Sequence, residues 1–379
     1  MARGRMRHLA LLGTATTFGL VLLGCTTPTP IAARSPTTTR IRPSPRTAIS
    51  SPTGASRAPG SAMGEADALA VSPSGVLYVV DDARHQIFAR LGDGTFQVVA
   101  GNGTDGFSGD GGPATAAQLS SVSDIAFSLD GELYIADGGR IRVVDRSGII
   151  RTVVGNGGTP AAVVGQTPAL SASLGPPVSI AFSPAGSLYL TTSAQTSQGS
   201  SGPNGSLTVT GQSQLLRLDP EGVLQPISAT VTSGLAPPQQ KLDEFDSIAV
   251  GSGGTIFAAS LATGWSVYEI HPDGDATYLG QARRSGGNTT IVQAGPGGLV
   301  VVDDGPNLLR VEGDNLVPYY SFAGATGVRD FVFVSYFAIA PDGVLYADDL
   351  DGAFGPFQQI VQVVDGRASS IWRGPQSPE

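Results

Sequence analysis

The sequence predicts an all-β fold, a six-bladed β-propeller of four-stranded blades, on three observations. The segment "LAVSPSGVLYVVDD" (69–82) returns as "IAFSLDGELYIADG" (125–138), "IAFSPAGSLYLTTS" (180–193), "IAVGSGGTIFAASL" (248–261), "VQAGPGGLVVVDDG" (292–305) and "AIAPDGVLYADDL" (338–350). Each copy is an apolar run, a glycine-bearing turn and a second run rich in β-branched and aromatic residues, which is hairpin chemistry. A second hairpin follows each copy: "IFARLGDGTFQVV", "IRVVDRSGIIRTVV", "LLRLDPEGVLQPI", "VYEIHPDGDATYL", "LLRVEGDNLVPYY" and "IVQVVDGRASSIW". A four-stranded blade with two apolar faces needs a neighbour on each. Radial stacking supplies both and leaves only short edges.

The chain divides into three parts before any blade is considered. Residues 1–24 carry Arg3, Arg5 and Arg7 ahead of the apolar core "LALLGTATTFGLVLL", a stretch short for a membrane span but suited to an export signal. The closing Leu22-Leu23-Gly24-Cys25 resembles a bacterial lipobox, which implies lipidation at Cys25 and anchoring on the outer side of the cytoplasmic membrane. Cys25 is the sole cysteine, so no intramolecular disulfide supports the fold. Residues 25–63, rich in Pro, Thr, Ser and Arg, bury too little to fold and read as a disordered tether. At about 3 Å per residue its reach is on the order of 100 Å. Residues 64–379 hold the propeller.

Charge separates these parts. Arg34, Arg40, Arg42, Arg46 and Arg57 lie in the tether, and residues 66–379 carry a net charge of −16. An acidic domain repels phosphates, so nucleic acid is not an expected partner. Contact with a membrane is expected only through the lipid, and the propeller is expected to be a monomer.

The repeat resembles the NHL repeat, whose pattern runs roughly Gly-Ile-Ala-Val-x-x-x-Gly-x-Leu-Tyr-Val-Ala-Asp…His-Arg-Ile. Gly75, Leu77, Tyr78, Asp81 and His85 match it in the first copy, and Gly131, Leu133, Tyr134 and Asp137 in the second. Copies four and five are degenerate, with Phe257 and Val301 in place of tyrosine and Ser260 where the first copy has Asp81. The resemblance spans residues 66–373 and implies a six-bladed propeller. NHL propellers also occur as extracellular sensors of actinobacterial receptor kinases, which implies a bacterial binding or sensor module here. The chain enters on a first strand and leaves on a fourth, so closure is expected to rest on packing between blades 1 and 6.

Turn glycines 75, 131, 186, 254, 298 and 343 give steps of 56, 55, 68, 44 and 45 residues. The bare repeat is therefore about 45 residues, a propeller period. The excess falls in the connections between blades at 101–122, 155–177 and 228–246, and between second and third strands at 191–214 and 348–359. In an up-and-down blade both kinds emerge on one side. Loop elaboration on a rigid scaffold marks a functional face, so that side, the top, is expected to bind a protein, peptide or cell-wall glycan. Candidate contacts are the aromatic residues Phe107, Trp265, Tyr336, Phe354 and Phe357, with Trp265 expected exposed.

Gly101, Gly103 and Gly106 satisfy G-x-G-x-x-G, but "FSGDGGP" follows, which cannot start the helix a dinucleotide site needs. Asp105 and Asp110 suggest a calcium loop. The second connection repeats the Gly-Asn-Gly frame without aspartate, and few oxygens are offered. The catalytic inventory is thin. Histidines are His8, His85 and His271, too few in the fold for the three-histidine zinc site of the amidating-lyase propellers. There is no G-x-S-x-G motif and no Walker lysine. No catalytic residue is assigned, and the balance leans away from an enzyme without deciding it. One alternative is a calcium-dependent hydrolase similar to the lactonase-like propellers. These hold calcium in the central channel, which would here be reached by Asp67, Asp124 and Asp246, with Asn288 before blade 5. The glutamate of those enzymes has no match here. The leading expectation is a non-enzymatic binding or scaffold module without cofactor.

Overall fold

The structure, a computed structural model, describes residues 63–193, 195–197, 208–210, 213–233, 241–242, 245–260, 265–282, 292–323, 325, 334–350 and 358–373. Residues 1–62, which include the expected signal (1–24) and most of the expected tether (25–63), lie outside the described residues, as do Asn288, Phe354 and Phe357. Six antiparallel four-stranded units follow one another in sequence order, confirming the six-bladed propeller. Their inner strands are Ala68–Val71, Val122–Phe127, Pro177–Phe182, Ser247–Val250, Val292–Ala294 and Val334–Ile339. Each packs beside the next and the last beside the first, around a central channel.

Local chemistry makes the hairpins. In "SPSG", Gly75 takes φ +84° and the Ser72 hydroxyl accepts the Val76 amide at 3.1 Å. The equivalent serines Ser128 and Ser183 accept from Glu132 and Ser187 at the same distance. A left-handed residue at the turn suits glycine, which lacks the Cβ that would clash. On the outer turns an aspartate does the same work, as Asp145 accepts from the Ser147 and Ile149 amides.

Blade-to-blade packing explains the recurring Leu-Tyr and Ile-Ala-Phe. The Tyr78 ring of blade 1 meets Phe127 of blade 2 edge-on at 4.7 Å, and Tyr134 of blade 2 meets Phe182 of blade 3 at 4.8 Å. Such edge-to-face pairs add about 0.5–1.5 kcal/mol beyond burial. Among the described residues the ring closes by side-chain packing without strand exchange. Leu69, Leu77, Val79 and Phe88 of blade 1 share a core with Ala338, Ala340, Tyr346 and Ile360 of blade 6. The Gln358 side chain adds a two-way clasp, accepting from Ala66 N at 3.0 Å and donating to Ala66 O at 2.9 Å.

The long connections depart from expectation. Instead of standing on the top face, their apolar residues sink into the grooves between blades. Ala114, Ala117 and Leu119 are buried among Ile87, Ile125 and Ile150. Ala169, Ala172 and Leu174 are buried among Ile141, Val154 and Leu216. Ala229, Val231 and Phe245 do the same between blades 3 and 4. The physical reason is radial divergence: flat blades spread apart toward the rim, and the gap must be filled to keep water from apolar faces. These connections also add to the next blade's outer edge. Thr167–Pro168 pairs with Val223–Ile227, and Ala229–Ser233 runs parallel to Asp275–Gln281.

The Gly-Asn-Gly frame now has a function in folding. Gly101 N and Asn102 N donate to Ala114 O and Ala117 O, and Gly155 N and Asn156 N repeat this toward Ala169 O and Ala172 O. The Asn102 amide donates to Ala116 O at 3.2 Å and Asn156 to Ser171 O at 3.1 Å. Each asparagine clamps a single 3-10 turn, Ala114–Ala116 or Ala169–Ser171. No dinucleotide-type helix follows. Asp110 is held by Arg142, with bonds of 2.7 and 3.2 Å, and accepts the Thr152 amide at 2.9 Å, so its carboxylate serves the fold.

Candidate functional site

The top end of the channel opens into a cavity of about 280 Å³ to which all six blades contribute. Its wall includes Asp67 and Asp82 of blade 1, Ser123 and Asp124 of blade 2, and Ser179 of blade 3. Asp246 and Ser247 of blade 4, Gln293 of blade 5 and Tyr336 of blade 6 complete it. The three aspartates expected at the channel thus share one cavity, joined by Asp82. Among the described residues no lysine, arginine or histidine lines it.

In blades 2, 3 and 4 the residue just before the inner-strand isoleucine, Asp124, Ser179 or Ser247, faces the neighbouring blade, and there the wall is built from clips. Asp124 Oδ2 accepts from Ile180 N at 2.8 Å and from the Ser179 hydroxyl at 3.0 Å. Ser179 Oγ in turn accepts from Ile248 N at 3.2 Å, and Ser247 Oγ from Val292 N at 3.0 Å. Between blades 1 and 2, Asp82 Oδ1 accepts from Val122 N at 2.7 Å. In each of blades 1 to 4 one side chain therefore satisfies a backbone amide of the next blade. Ser179→Ala is expected to lower stability by about 1–3 kcal/mol, because it orphans the Ile248 amide and withdraws a donor from Asp124. Chemical denaturation measures this, and a loss within error of zero would show the clip to be idle.

Burial pushes the Asp124 carboxyl up to about 6 in spite of its donors from Ile180, Ser179 and Ile125. Asp67 also rises to about 6, chiefly by burial and further by the Asp82, Glu65 and Asp81 carboxylates, with the Asp82 amide opposing. Burial first, then the carboxylates of Asp67, Asp348, Asp124 and Asp82, pushes the Tyr336 phenol up to about 12. Asp67 and Asp124 retain protons in the fold that the unfolded chain releases near 3.8. Their contribution to stability is fully present below that value and is lost as pH rises through about 6. The melting temperature of Asp67→Asn/Asp124→Asn is therefore expected to fall less between pH 4 and pH 7 than that of the wild type, by about the difference these two groups make. Parallel thermal curves for the two proteins would contradict the shifts.

Among the described residues no three acidic, histidine or cysteine side chains are grouped closely enough to hold a metal ion. Asp124 already spends both oxygens on three donors. Among the described residues Asp124 is thus committed to backbone and serine donors.

The aromatic candidates separate. Phe107 is 43% exposed, its ring stacked on the Arg140 guanidinium at 3.8 Å. Tyr336 is not on a top loop but within the inner strand Val334–Ile339, where it lines the cavity. Trp265, expected exposed, is half-buried and holds φ +58° immediately before its blade's third strand. His85 occupies the same place in blade 1 with φ +51°, and its ring Nδ1 pairs with Ser120 O at 3.0 Å. Sequence reasoning missed Asp82, Ser123, Ser179 and Ser247. Aligning the residues that precede each Ile-Ala pair would have revealed the two serines at 179 and 247.

The fold and this cavity define a six-bladed β-propeller with an acidic channel mouth. Residues 93–163, from the outer turn of blade 1 through blade 2, match the Teneurin NHL domain. Teneurin-m of Drosophila melanogaster is 40% identical over 103 residues, covering 23% of this chain and 4% of that protein. The chain thus spans about 4% of the length of such curated relatives. Among solved structures, one provisionally described as a gluconolactonase aligns with a TM-score of 0.51 at 13% identity, over 82% of this chain and 92% of its own. A gluconolactonase from Xanthomonas campestris aligns at 0.50 and 15% identity, over 76% and 83%. At these identities the likeness establishes the fold alone.

Proposed function

We propose that this chain is an exported, lipid-anchored, non-enzymatic binding module that takes a cationic group of a peptide or protein into the mouth of its channel. The observation that carries this reading is the cavity wall: four aspartates from three blades, with no basic side chain among its described lining residues. A partly enclosed acidic recess attracts an ammonium or guanidinium and repels carboxylates and phosphates. The Tyr336 phenol, kept protonated, supplies a donor and an aromatic face beside them. The net charge of −16 over residues 66–379 adds long-range attraction for such a ligand. Calorimetry with acetyl-Gly-Lys-Gly-amide and its glutamate counterpart tests it. The lysine peptide is expected to bind, the glutamate peptide not, and Asp67→Asn/Asp246→Asn to weaken binding at least about tenfold. Equal affinity for both peptides would overturn the reading.

One observation favours a second reading, the calcium-dependent hydrolase: Asp67, Asp124 and Asp246 share the channel mouth. The occupied oxygens of Asp124 speak against it, and no reaction step is assigned. Tight one-to-one calcium uptake abolished by Asp124→Ala would favour the enzyme. The export and anchoring part of the proposal rests on the Leu-Leu-Gly-Cys stretch ending at Cys25. Mass spectrometry of the membrane-extracted chain is expected to find a lipid-modified N-terminal Cys25, and an unmodified Cys25 would remove that part.

A further inference from the structure

The two Gly-Asn-Gly frames carry the same local chemistry in different surroundings. In each, an exposed asparagine precedes a glycine at positive φ, Gly103 at +85° and Gly157 at +69°. An Asx turn folds each side chain over the peptide bond that follows it. Asn102 Oδ1 accepts from Thr104 N at 3.0 Å, and Asn156 Oδ1 from Gly158 N at 2.7 Å. The preceding amides of the second frame, Gly155 N and Asn156 N, are engaged by Ala169 O and Ala172 O. Among the described residues the Gly157 amide donates to no backbone acceptor.

That free amide faces the Asn156 carboxamide, and the atoms on which charge develops during its attack there already meet donors. The Arg140 guanidinium lies against the face of Gly157, in the space a Cβ would take. Its Nη2 donates to Asn156 O at 3.2 Å. Asn156 O belongs to the same peptide group as Gly157 N, so a cation there favours the deprotonated, nucleophilic amide. Asn156 Oδ1 becomes an oxyanion when Cγ is attacked, and it accepts from the Ser173 hydroxyl at 3.2 Å as well as from Gly158 N. Two donors fixed on such an oxygen stabilise a tetrahedral intermediate. The leaving group, Nδ2, is oriented by Ser171 O at 3.1 Å. Asn102 lacks these additions among the described residues. Its Oδ1 is met by the Thr104 amide, and beside Gly103 stands the neutral Gln86 carboxamide, 3.7 Å from where a Cβ would lie.

We propose that Asn156 is a self-modifying residue, converted without an enzyme to a succinimide and then to isoaspartate and aspartate, with Arg140 and Ser173 accelerating the step. Gly157 N loses its proton to water and bonds to Asn156 Cγ. The Cγ–Nδ2 bond breaks, and the nitrogen takes up a proton from water and leaves as ammonia. One water then opens the imide: addition at Cγ yields aspartate, and addition at the main-chain carbonyl yields isoaspartate. Nothing is oxidised or reduced. The product carboxylate has no N–H to offer Ser171 O, so the clamp on the Ala169–Ser171 turn is lost. Isoaspartate also inserts a methylene into the main chain. Ala169 and Ala172, buried between blades 2 and 3, then lose their anchor, and elapsed time is converted into a looser junction.

Peptide mapping of the purified full-length chain, kept in mildly alkaline buffer, measures the conversion, with fragmentation separating isoaspartate from aspartate. In the native chain Asn156 is expected to react at least about fivefold faster than Asn102. In urea the two Asn-Gly sites should react at similar rates, because only the fold distinguishes them. Arg140→Met and Ser173→Ala should each slow Asn156 at least about threefold and leave Asn102 near its wild-type rate. A variant that unfolds would instead move both sites to their rates in urea, which tells loss of fold from loss of a donor. A native rate at Asn156 equal to or below that at Asn102, or an unchanged rate in both folded variants, would overturn the proposal. Neither result bears on cation binding at the channel, which is read separately by calorimetry.

Discussion

Arg142→Met is expected to lower the unfolding free energy by about 3–5 kcal/mol, the range for removing one partner of a buried ion pair. Arg142 lies within the third strand of blade 2 and is 0% exposed. Its guanidinium donates to Asp110 at 2.7 and 3.2 Å, to Asp137 at 3.2 Å, and to the carbonyls of Gln118 and Ser108 at 2.7 and 2.8 Å. Removing it leaves the Asp137 carboxylate, itself 2% exposed, with only the Ser120 amide and hydroxyl as donors. It also frees the connection between blades 1 and 2 from the strand that holds it. At Asp110, burial works against ionisation, yet the bonds from Thr152 and Arg142 outweigh it and hold the carboxyl below the usual range. Arg142→Lys should recover little, because an ammonium cannot span five acceptor contacts from one planar fork. Urea denaturation at neutral pH measures the loss. A change smaller than about 1 kcal/mol would mean that the network is bridged by water rather than by the arginine.

The second large effect is expected at Gly101. Its φ is +86°, and a Cβ there would lie 2.0 Å from the His85 carbonyl oxygen, so alanine meets both backbone strain and an immovable main-chain atom. Gly101→Ala should destabilise by about 2–3 kcal/mol or more. Gly155→Ala should do the same, since its Cβ would lie 2.3 Å from Gly139 O at φ +85°. Gly75 provides the contrast: φ is +84°, but nothing lies within 4 Å of a Cβ. Gly75→Ala is expected to lose only about 1 kcal/mol, the conformational part alone. Thermal melts of the three variants separate the two contributions. Equal losses at Gly75 and Gly101 would remove the close approach as a cause.

Both experiments concern the segment that most resembles a ligand loop. "GNGTDGFSGDGGPATAAQL" has the glycines of a phosphate cradle and the aspartates of a calcium loop. Its glycines serve close passage beside His85 and left-handed turns, its asparagine clamps a 3-10 turn, and Asp110 answers an arginine from 32 residues away. The recurrence of Gly-Asn-Gly at 155–157 without aspartates was legible as a sign of a structural role. The partner of Asp110 was not, because Arg142 reaches it only after blade 2 has folded.

Tyr336 shows a different limit. "FVFVSYFAIA" is an apolar run without alternation, and a strand buried on both faces has no period by which to locate its start. Loop and strand were therefore indistinguishable there, although the residue does reach the candidate site. Asp67, Asp124 and Asp246 were legible as channel residues from their place before the inner strands. Whether a carboxylate meets a cation or a neighbour's amide depends on the register between blades, which no local pattern encodes.

Sequence by itself determined the number of blades, the strand and turn boundaries within each hairpin, and the acidic character of the domain. These follow from alternation, glycine at left-handed turns and charge, all properties of residues close in the chain. Only tertiary structure decided that three long connections are groove fillers and that side chains of blades 1 to 4 each clip a backbone amide of the next blade. Those outcomes arise where surfaces from distant segments meet. There the widening gap between radiating blades and the need to satisfy each buried amide select the contacts.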